Sequence, residues 1–139
     1  MDKFLESNIV FSMFCKHYTE MKKNLPIRPS EMGVLNIITQ REGKFTPLMI
    51  AELLDVSKPM ITAHITSLEN KGYVFKEHLK EDKRSFYIMP TASGRSLVEA
   101  TSKEMNHNLQ IIEDSLGKEN FQRLLELLAD TNAILKNIN

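Results

Sequence analysis

Two short runs of aromatic and β-branched residues interrupt a chain that is otherwise patterned for helices. They lie at residues 73–75 and 86–89, and the stretch between them, residues 76–84, is mostly charged. Aromatic and β-branched residues favour strands, and a charged stretch suits the exposed tip of a hairpin. The sequence therefore predicts a mainly α-helical domain with one small antiparallel β hairpin.

Two helices are predicted in the first third of the chain. Apolar side chains recur every three to five residues from 4 to 24, which is helical spacing, and Leu25-Pro26 ends this helix. A second helix is predicted from Pro29 with Ser30 as its N-cap. It stops near Gly43, because glycine adopts the left-handed conformation that often ends a helix.

The next two helices have stronger start signals. Thr46 is followed by a proline, and a hydroxyl N-cap with proline at the first helical position is a typical beginning. A turn at residues 55–57 ends this short helix, and we expect Asp55 to tolerate left-handed geometry there. Ser57 then caps a fourth helix, which ends at Gly72. The two helices and their tight turn predict a helix-turn-helix.

The chain returns to helical patterning after the hairpin. Pro90 cannot continue a ladder of hydrogen bonds, and Thr91 is suited to cap the next helix. Two long helices, roughly 91–115 and 118–137, finish the chain. The predicted order is α-α-α-α-β-β-α-α, which is that of a winged helix-turn-helix with additional helices at both ends.

The bulk composition fits one globular domain. The chain has 139 residues, of which 42% are hydrophobic and 26% charged, and it shows no repeat or linker. No apolar run approaches the roughly 18 residues needed to span a bilayer, and the first residues do not resemble a secretory signal. Cys15 is the only cysteine, which excludes an intrachain disulfide. We expect a cytoplasmic protein without a membrane partner.

The charge distribution weakly favours a nucleic-acid partner. Net charge is zero, but residues 55–96 carry 7 basic and 5 acidic side chains, a balance of +2. Residues 97–139 carry 4 and 7, a balance of −3. A weakly positive middle and an acidic last third suit a DNA-facing centre and a separate dimerising part.

The sequence lacks the motifs of the common enzyme classes. We find no Gly-rich phosphate loop, nucleophile elbow, paired-histidine zinc motif or Cys-x-x-Cys. The four histidines are scattered and do not have zinc-ligand spacing. We therefore expect no catalytic residues, no cofactor and no bound metal.

The fourth predicted helix has two chemically different faces. Its apolar stripe is expected to pack on the third helix, which leaves the opposite face free. The stripe is Ile61, Ile65 and Leu68, its partners are Ile50, Ala51 and Leu54, and the free face is Lys58, Thr62, Ala63 and Thr66. A small, polar or basic face of this kind suits a DNA major groove. It is equally compatible with an ordinary solvated helix face.

Two sets of residues resemble the MarR family of winged helix-turn-helix regulators. The first set is Ile50-Ala51-Glu52-Leu53-Leu54-Asp55-Val56-Ser57 with Ile61-Thr62, Leu68-Glu69 and Lys71-Gly72-Tyr73-Val74. The second is Asp82-x-Arg84 followed by Thr91-x-x-Gly94, which resembles the family's wing signature. The resemblance implies a single domain over 1–139, with a winged lobe at about 30–90. Helices at about 1–25 and 91–139 would form an intertwined homodimer.

The resemblance also implies a function and the residues that perform it. The dimer would bind a pseudo-palindromic operator in double-stranded DNA, most commonly as a repressor that an effector releases. The recognition helix would enter the major groove and Arg84 the minor groove, while Asp82 supports the wing. The implied DNA-binding residues are Ser57, Lys58, Pro59, Thr62, Ala63, Thr66, Ser67, Lys83 and Arg84.

Two alternatives to this interpretation stay open. Asp82 and Arg84 also fit a solvent-exposed ion pair with little energetic value. Many family members have basic side chains where this sequence has Ala63 and Ser67. A winged-helix protein-interaction module without DNA binding is therefore the second candidate.

The first two helices contain candidates for a small-molecule pocket and a redox site. In the family, small aromatic or phenolic effectors bind near the junction of the dimer helices and the lobe. Met13, His17, Met21 and Met32 are the candidate pocket residues, although methionines at helical spacing are more often core residues. Cys15 suggests a redox sensor, but its local sequence favours a buried, inert thiol. The role of His64 is undecided.

Overall fold

The predicted order of elements is confirmed in a computed structural model, which describes residues 2–21 and 24–138. The described elements are α1 (Lys3–Glu20), α2 (Pro29–Gln40), α3 (Pro47–Leu54), α4 (Lys58–Asn70), β1 (Val74–His78), β2 (Phe86–Pro90), α5 (Ala92–Leu116) and α6 (Lys118–Ile138). The ends of the predicted domain, residues 1 and 139, lie outside the described residues. So do residues 22 and 23 of the predicted first helix.

Both strong helix starts are confirmed. The Thr46 side chain accepts a hydrogen bond from the Met49 N–H at 3.3 Å, and the Ser57 hydroxyl oxygen accepts one from the Met60 N–H at 3.2 Å. In each case the cap satisfies an N–H that has no partner within its own helix. These short polar contacts fix where α3 and α4 begin.

The predicted N-cap of α2 is wrong. Arg28, not Ser30, is the N-cap, and Ser30 lies inside the first turn after Pro29. The reason is Glu31, whose carboxylate reaches back and accepts a hydrogen bond from the Arg28 N–H at 2.9 Å. This is one half of a capping box, and it fixes the start of the helix earlier than a serine cap would.

The hairpin is longer than predicted. β1 continues through His78 instead of ending at residue 75, and its residues pair antiparallel with β2, with His78 opposite Phe86. Pro90 stands at the end of β2, where its missing N–H disrupts no interior pairing. Two polar residues of the longer β1 contact the ring of Phe86 on the opposite strand. The Lys76 ammonium lies 4.8 Å from the ring centroid of Phe86, and the His78 ring meets the same ring edge-on.

The core lies between α2, α3, α4 and the hairpin. Its fully buried large side chains are Leu35, Ile50, Ile61, Leu68 and Ile88. An isolated bridge pairs Phe45 with Ile88, so the segment before α3 lies beside the middle of β2. The apolar stripe predicted for α4 is therefore confirmed as its inner face.

The structure forms two compact units, Met1–Glu99 and Ala100–Asn139. The first contains the core and the beginning of α5, so it extends past the lobe boundary expected near residue 90. The reason is a close joint between the hairpin and α5. Thr91 donates its hydroxyl to the Gly72 carbonyl at 2.7 Å and accepts from the Gly94 N–H at 3.1 Å.

Gly94 is required for this joint. A Cβ at residue 94 would lie 2.3 Å from the carbonyl oxygen of Tyr73. That is closer than any real Cβ approaches an oxygen, so only glycine fits without a backbone shift. The glycine of the Thr-x-x-Gly signature is therefore required by close packing within the lobe.

The second unit contains the rest of α5 and α6. None of the described residues of α6 is buried, and several of its large apolar side chains are exposed, among them Leu125, Leu127, Ile134 and Leu135. None of the helices in the described part of the chain is long and apolar enough to cross a membrane.

Candidate nucleic-acid interface

A tight turn joins α3 to α4. Asp55 ends α3 in the left-handed conformation, with φ 55° and ψ 49°, as the sequence indicated. The Val56 N–H then donates to the Ala51 carbonyl at 3.0 Å, which closes the end of the helix. Ser57 begins α4 directly afterwards. The turn therefore orients α4 through backbone hydrogen bonds and a single polar cap.

The outer face of α4 is exposed. We define it as Lys58, Pro59, Thr62, Ala63 and Thr66, all of which the sequence analysis assigned to DNA binding. The inner face of the same helix is buried in the core, so the outer face projects away from it. The Thr62 hydroxyl donates to the Lys58 carbonyl at 3.0 Å, which is a bond within the helix.

Two other residues assigned to this surface are already engaged within the protein. Ser57 is exposed, but its oxygen caps α4. Ser67 is half-buried, and its hydroxyl is close enough to the Glu31 carboxylate to lower the pKa of that group. The structure therefore places Ser67 toward α2, apart from the outer face.

Glu31 links the end of α4 to α2. It is 1% exposed, and its Oε1 accepts from the Arg28 N–H at 2.9 Å and lies 3.4 Å from the Lys71 ammonium. Burial alone raises the pKa of Glu31. The nearby Ser67 hydroxyl, the Arg28 N–H and the charge of Lys71 outweigh it and lower that pKa below its ordinary value. The side chain is therefore ionised at neutral pH.

His64 belongs to the interior of the lobe. Its side chain is 9% exposed, and its Nε2 has no hydrogen-bond partner among the described residues. The sequence left open whether this histidine packs in the core or contacts phosphate. The structure shows a packing residue on the inner side of α4.

The tip of the hairpin is organised by Asp82. Its Oδ1 accepts from the Arg84 N–H at 3.0 Å, and its Oδ2 accepts from the Ser85 hydroxyl at 3.2 Å. The Ser85 N–H also donates to the Asp82 carbonyl at 3.0 Å. Asp82 therefore folds the chain back at the tip in an Asx-type turn.

The cations at the tip are exposed. The Arg84 side chain is 95% exposed, and its Nε lies 3.6 Å from the carboxylate of Asp82. Lys83 is exposed too, and its carbonyl lies 2.9 Å from Nδ1 of His78. Since a carbonyl only accepts, the His78 Nδ1 carries the hydrogen of this bond. Backbone contacts thus fix the tip, while the Arg84 guanidinium stays available to a partner.

The hairpin is tied to the segment before α3 near the tip end of its ladder, where Glu77 pairs with Tyr87. The Lys44 ammonium lies 2.6 Å from the Glu77 carboxylate and 5.8 Å from the ring centroid of Tyr87. The hydrogen bond to Glu77 raises the pKa of Lys44. Sequence analysis missed Lys44, His78 and Glu31. Glu31 had a signal, since a glutamate at the third position of a helix is typical of a capping box.

The candidate effector residues lie in different environments. Met32 belongs to the hydrophobic core at 5% exposure, whereas Met21 is half-buried. Met13 is exposed on α1, and so is His17, whose Nδ1 lies 3.7 Å from the Glu20 carboxylate. A pocket lined by these residues stays a prediction.

The expectation of a buried Cys15 is wrong for the single chain. The thiol is exposed. None of the residues of α1 is buried in the single chain. Exposed apolar side chains occur on this helix on either side of Cys15, including Phe11, Phe14 and Tyr18.

Comparisons with known proteins agree with this geometry. Residues 27–86, which run from the segment before α2 to the start of β2, match the model of the MarR family. The HTH-type transcriptional regulator FarR of Neisseria gonorrhoeae is 31% identical over 84 residues, which are 60% of this chain and 58% of FarR. The uncharacterized HTH-type transcriptional regulator YdgJ of Bacillus subtilis (strain 168) is 26% identical over 85 residues, 61% of this chain and 52% of YdgJ. The chain thus matches less than two thirds of the length of either relative.

The fold is that of solved winged-helix regulators. The crystal structure of FabT from Streptococcus pneumoniae in complex with DNA has a TM-score of 0.81 at 20% identity, covering 99% of this chain and 100% of FabT. CouR, a transcriptional repressor bound to a 23-mer DNA duplex, has a TM-score of 0.76 at 21% identity, covering 95% and 92% of the two chains. NadR in complex with 4-hydroxyphenylacetate has a TM-score of 0.70 at 21% identity, covering 94% and 92%. At these identities, the comparison establishes the fold: mainly helical with a two-stranded wing.

Proposed function

Because residues 27–86 match the model of the MarR family, we propose that the chain is a member of that family, a dimeric, sequence-specific DNA-binding transcriptional regulator and not an enzyme. The observation that carries the proposal is the pairing of two exposed features in one lobe. The outer face of α4 and the tip of the wing are both exposed, while the inner face of α4 is buried in the core. Two relatives named HTH-type transcriptional regulators and two DNA-bound neighbours of the same fold support it.

The two exposed features suit different grooves of DNA. A helix fits the major groove, where the small side chains of the outer face allow a close approach to base edges. A guanidinium suits a narrow minor groove because the negative potential is greatest there. Arg84 is held out at the tip by the Asp82 turn, and Lys83 and Lys58 add cations suited to phosphate contacts. We propose that Ser57 and Ser67 contribute to DNA binding indirectly. Their contacts within the protein help to fix the position of α4 and do not reach the DNA.

The proposed assembly is a homodimer on a pseudo-palindromic operator. Its winged lobe comprises about residues 30–90, and its dimerisation helices about 1–25 and 91–139. The support is the apolar surface on α1, where Phe4 is 75% and Val10 62% exposed, and that on α6, where Ile134 is 59% exposed. Surfaces of this kind are uncommon on monomers and mark interfaces. Intertwined helices of two chains would cover them.

The proposed regulation is repression that a small aromatic or phenolic effector releases, in the cytoplasm where the DNA is. Its support is the family and the NadR structure, which contains 4-hydroxyphenylacetate. Met13, His17, Met21 and Met32 stay the candidate contacts. A dimer would enclose α1 side chains that the single chain exposes. The test is a thermal shift of the dimer with phenolic acids, where no shift at millimolar concentration would exclude this ligand class.

The DNA proposal is tested by fluorescence anisotropy on the DNA immediately upstream of the protein's own coding region and on a pool of random duplexes. We expect nanomolar binding by the wild type and a loss of at least tenfold in Arg84→Ala. The matched control is Lys80→Ala, which removes one exposed cation from the same hairpin. Equal losses in both variants would mean general charge attraction and not wing insertion. No binding by a folded, dimeric wild type to either DNA would refute the proposed function.

A further inference from the structure

The outer face of α4 offers methyl groups and very few hydrogen-bond donors. Ala63 presents one methyl, and Thr62 and Thr66 each present a methyl beside a hydroxyl. Lys58 is the only exposed charged side chain on residues 57–68, where there is also no arginine, asparagine or glutamine. Within residues 57–68, His64 is buried and Ser67 is half-buried beside Glu31, so neither adds a donor to this face.

The Thr62 hydroxyl donates within its own helix. Its single hydroxyl hydrogen is used in the 3.0 Å bond to the Lys58 carbonyl. A hydroxyl has one donor and retains only acceptor capacity once that donor is bonded. The methyl group is therefore the part of this exposed side chain that has no partner within the helix.

In the major groove, different bases are recognised by different side chains. Guanine is read by arginine or lysine and adenine by asparagine or glutamine, through paired hydrogen bonds. Thymine alone carries a methyl group there, and alanine and threonine methyls contact it. The methyl groups of Thr62, Ala63 and Thr66 therefore match thymine, and Lys58 is the one side chain of the outer face suited to guanine.

We propose that Thr62, Ala63 and Thr66 determine specificity by contacting thymine methyl groups, so that each operator half-site has thymines at the major-groove positions under α4. This inference rests on the proposed DNA-binding function and adds the class of sequence that is bound. Lys58 contributes a phosphate or a single guanine contact at the start of the helix. Arg84 in the minor groove adds to affinity but not to this methyl readout.

The experiment removes the methyl from the DNA and leaves everything else unchanged. A binding site is first selected from random duplexes, and each thymine of a half-site is then replaced singly by deoxyuridine, which pairs identically but lacks the methyl. We expect two or more thymines to be sensitive, each weakening binding by about fourfold, the value that corresponds to one buried methyl-sized group. Thymines whose major groove does not face α4 act as the control and stay neutral.

A matched pair of protein variants locates the contact. Thr62→Ser keeps the hydroxyl and its bond to Lys58 and removes only the methyl. Thr62→Val keeps a methyl and removes the hydroxyl. On the thymine site we expect Ser to bind about fourfold more weakly and Val to bind nearly as well as the wild type. On the matching deoxyuridine site, the wild type and Ser should bind equally.

Three results distinguish the thymine-contact inference from the proposed DNA-binding function. Sensitivity of a thymine that disappears in Thr62→Ser supports the inference. Tight, selective binding with no deoxyuridine effect in any half-site overturns the inference and leaves the proposed function intact. Absence of binding to all thymine-containing duplexes overturns both. Circular dichroism of the variants ensures that a weakened one is folded, and Thr62→Val remains informative if Thr62→Ser is not.

Discussion

Replacing Glu31 by glutamine tests whether a buried charge holds the recognition helix. Glu31 accepts the Arg28 N–H from its own helix, and it meets Ser67 and Lys71 at the far end of α4. Glutamine has nearly the same shape and can still accept from Arg28. The substitution therefore removes the negative charge and little else.

The expected loss of stability follows from the exposure of the two partners. Removing one member of a fully buried pair costs about 3–5 kcal/mol, because the other charge is left without water. Here the Lys71 side chain is 41% exposed, so its ammonium regains water when the carboxylate is removed. What is lost is the surplus of charged over neutral hydrogen bonds. We expect Glu31→Gln to lower the free energy of unfolding by about 1–2 kcal/mol.

The companion variant Lys71→Met removes the cation of the pair and keeps the carboxylate. It leaves the Glu31 carboxylate buried and without its cation, so we expect a loss about as large as that of Glu31→Gln or larger. In the double variant no charge is left unpaired. The two losses should therefore be less than additive by about 1 kcal/mol, which a double-mutant cycle measures.

The pH dependence gives an independent check with a definite sign. The pKa of Glu31 is lowered in the folded protein from an ordinary value of 4.5. Its contribution is therefore complete above about pH 4.5 and is lost as the pH falls through the folded pKa. The stability difference between wild type and Glu31→Gln should stay constant from pH 7 to about 5 and shrink below 4.5.

The assay is urea unfolding followed by circular dichroism at fixed protein concentration, because the stability of a dimer depends on concentration. Glu31→Gln as stable as the wild type at pH 7 would refute the structural argument. A stability difference that does not change between pH 7 and 3.5 would show that the carboxylate charge is not its cause.

Further predictions concern the wing and its joint to α5. Gly94→Ala introduces a Cβ against the Tyr73 carbonyl, so we expect a loss of about 1–3 kcal/mol in thermal or urea unfolding, whereas the neighbouring exposed Ser93→Ala should change little. Asp82→Ala removes both acceptors of the tip and should weaken DNA binding severalfold with almost unchanged unfolding, whereas Asp82→Asn keeps an acceptor for the Arg84 N–H and should bind better than Ala. Equal DNA binding by Ala and Asn would contradict this role for Asp82.

Features with local causes could be predicted from the sequence. The caps at Thr46 and Ser57 and the left-handed Asp55 each depend on residues within four positions, so the composition of a short segment fixes them. The inner and outer faces of α4 follow from helical periodicity alone. These features were sufficient to place the helix-turn-helix and to identify most of its exposed residues.

Features that depend on two distant segments could not be predicted in this way. Glu31 and Lys71 are 40 positions apart, and the sequence around either residue does not indicate that the two are in contact. Ser67 lies on the flank of α4, where a small rotation decides between solvent and α2. Cys15 was expected to be buried from its local sequence, but local sequence does not reveal whether the covering surface belongs to the same chain.

The wing signature itself serves the fold more than the recognition of sequence. Thr91 and Gly94 close the joint to α5, and Asp82 shapes the tip, so each of these residues has a partner inside the lobe. Arg84 is the one member that faces outward, and a minor-groove arginine responds mainly to groove width. Under the proposed function, the residues that discriminate between operators would therefore lie elsewhere. The outer face of α4 is our candidate for that task, because its side chains are exposed while the opposite side of the helix is buried in the core.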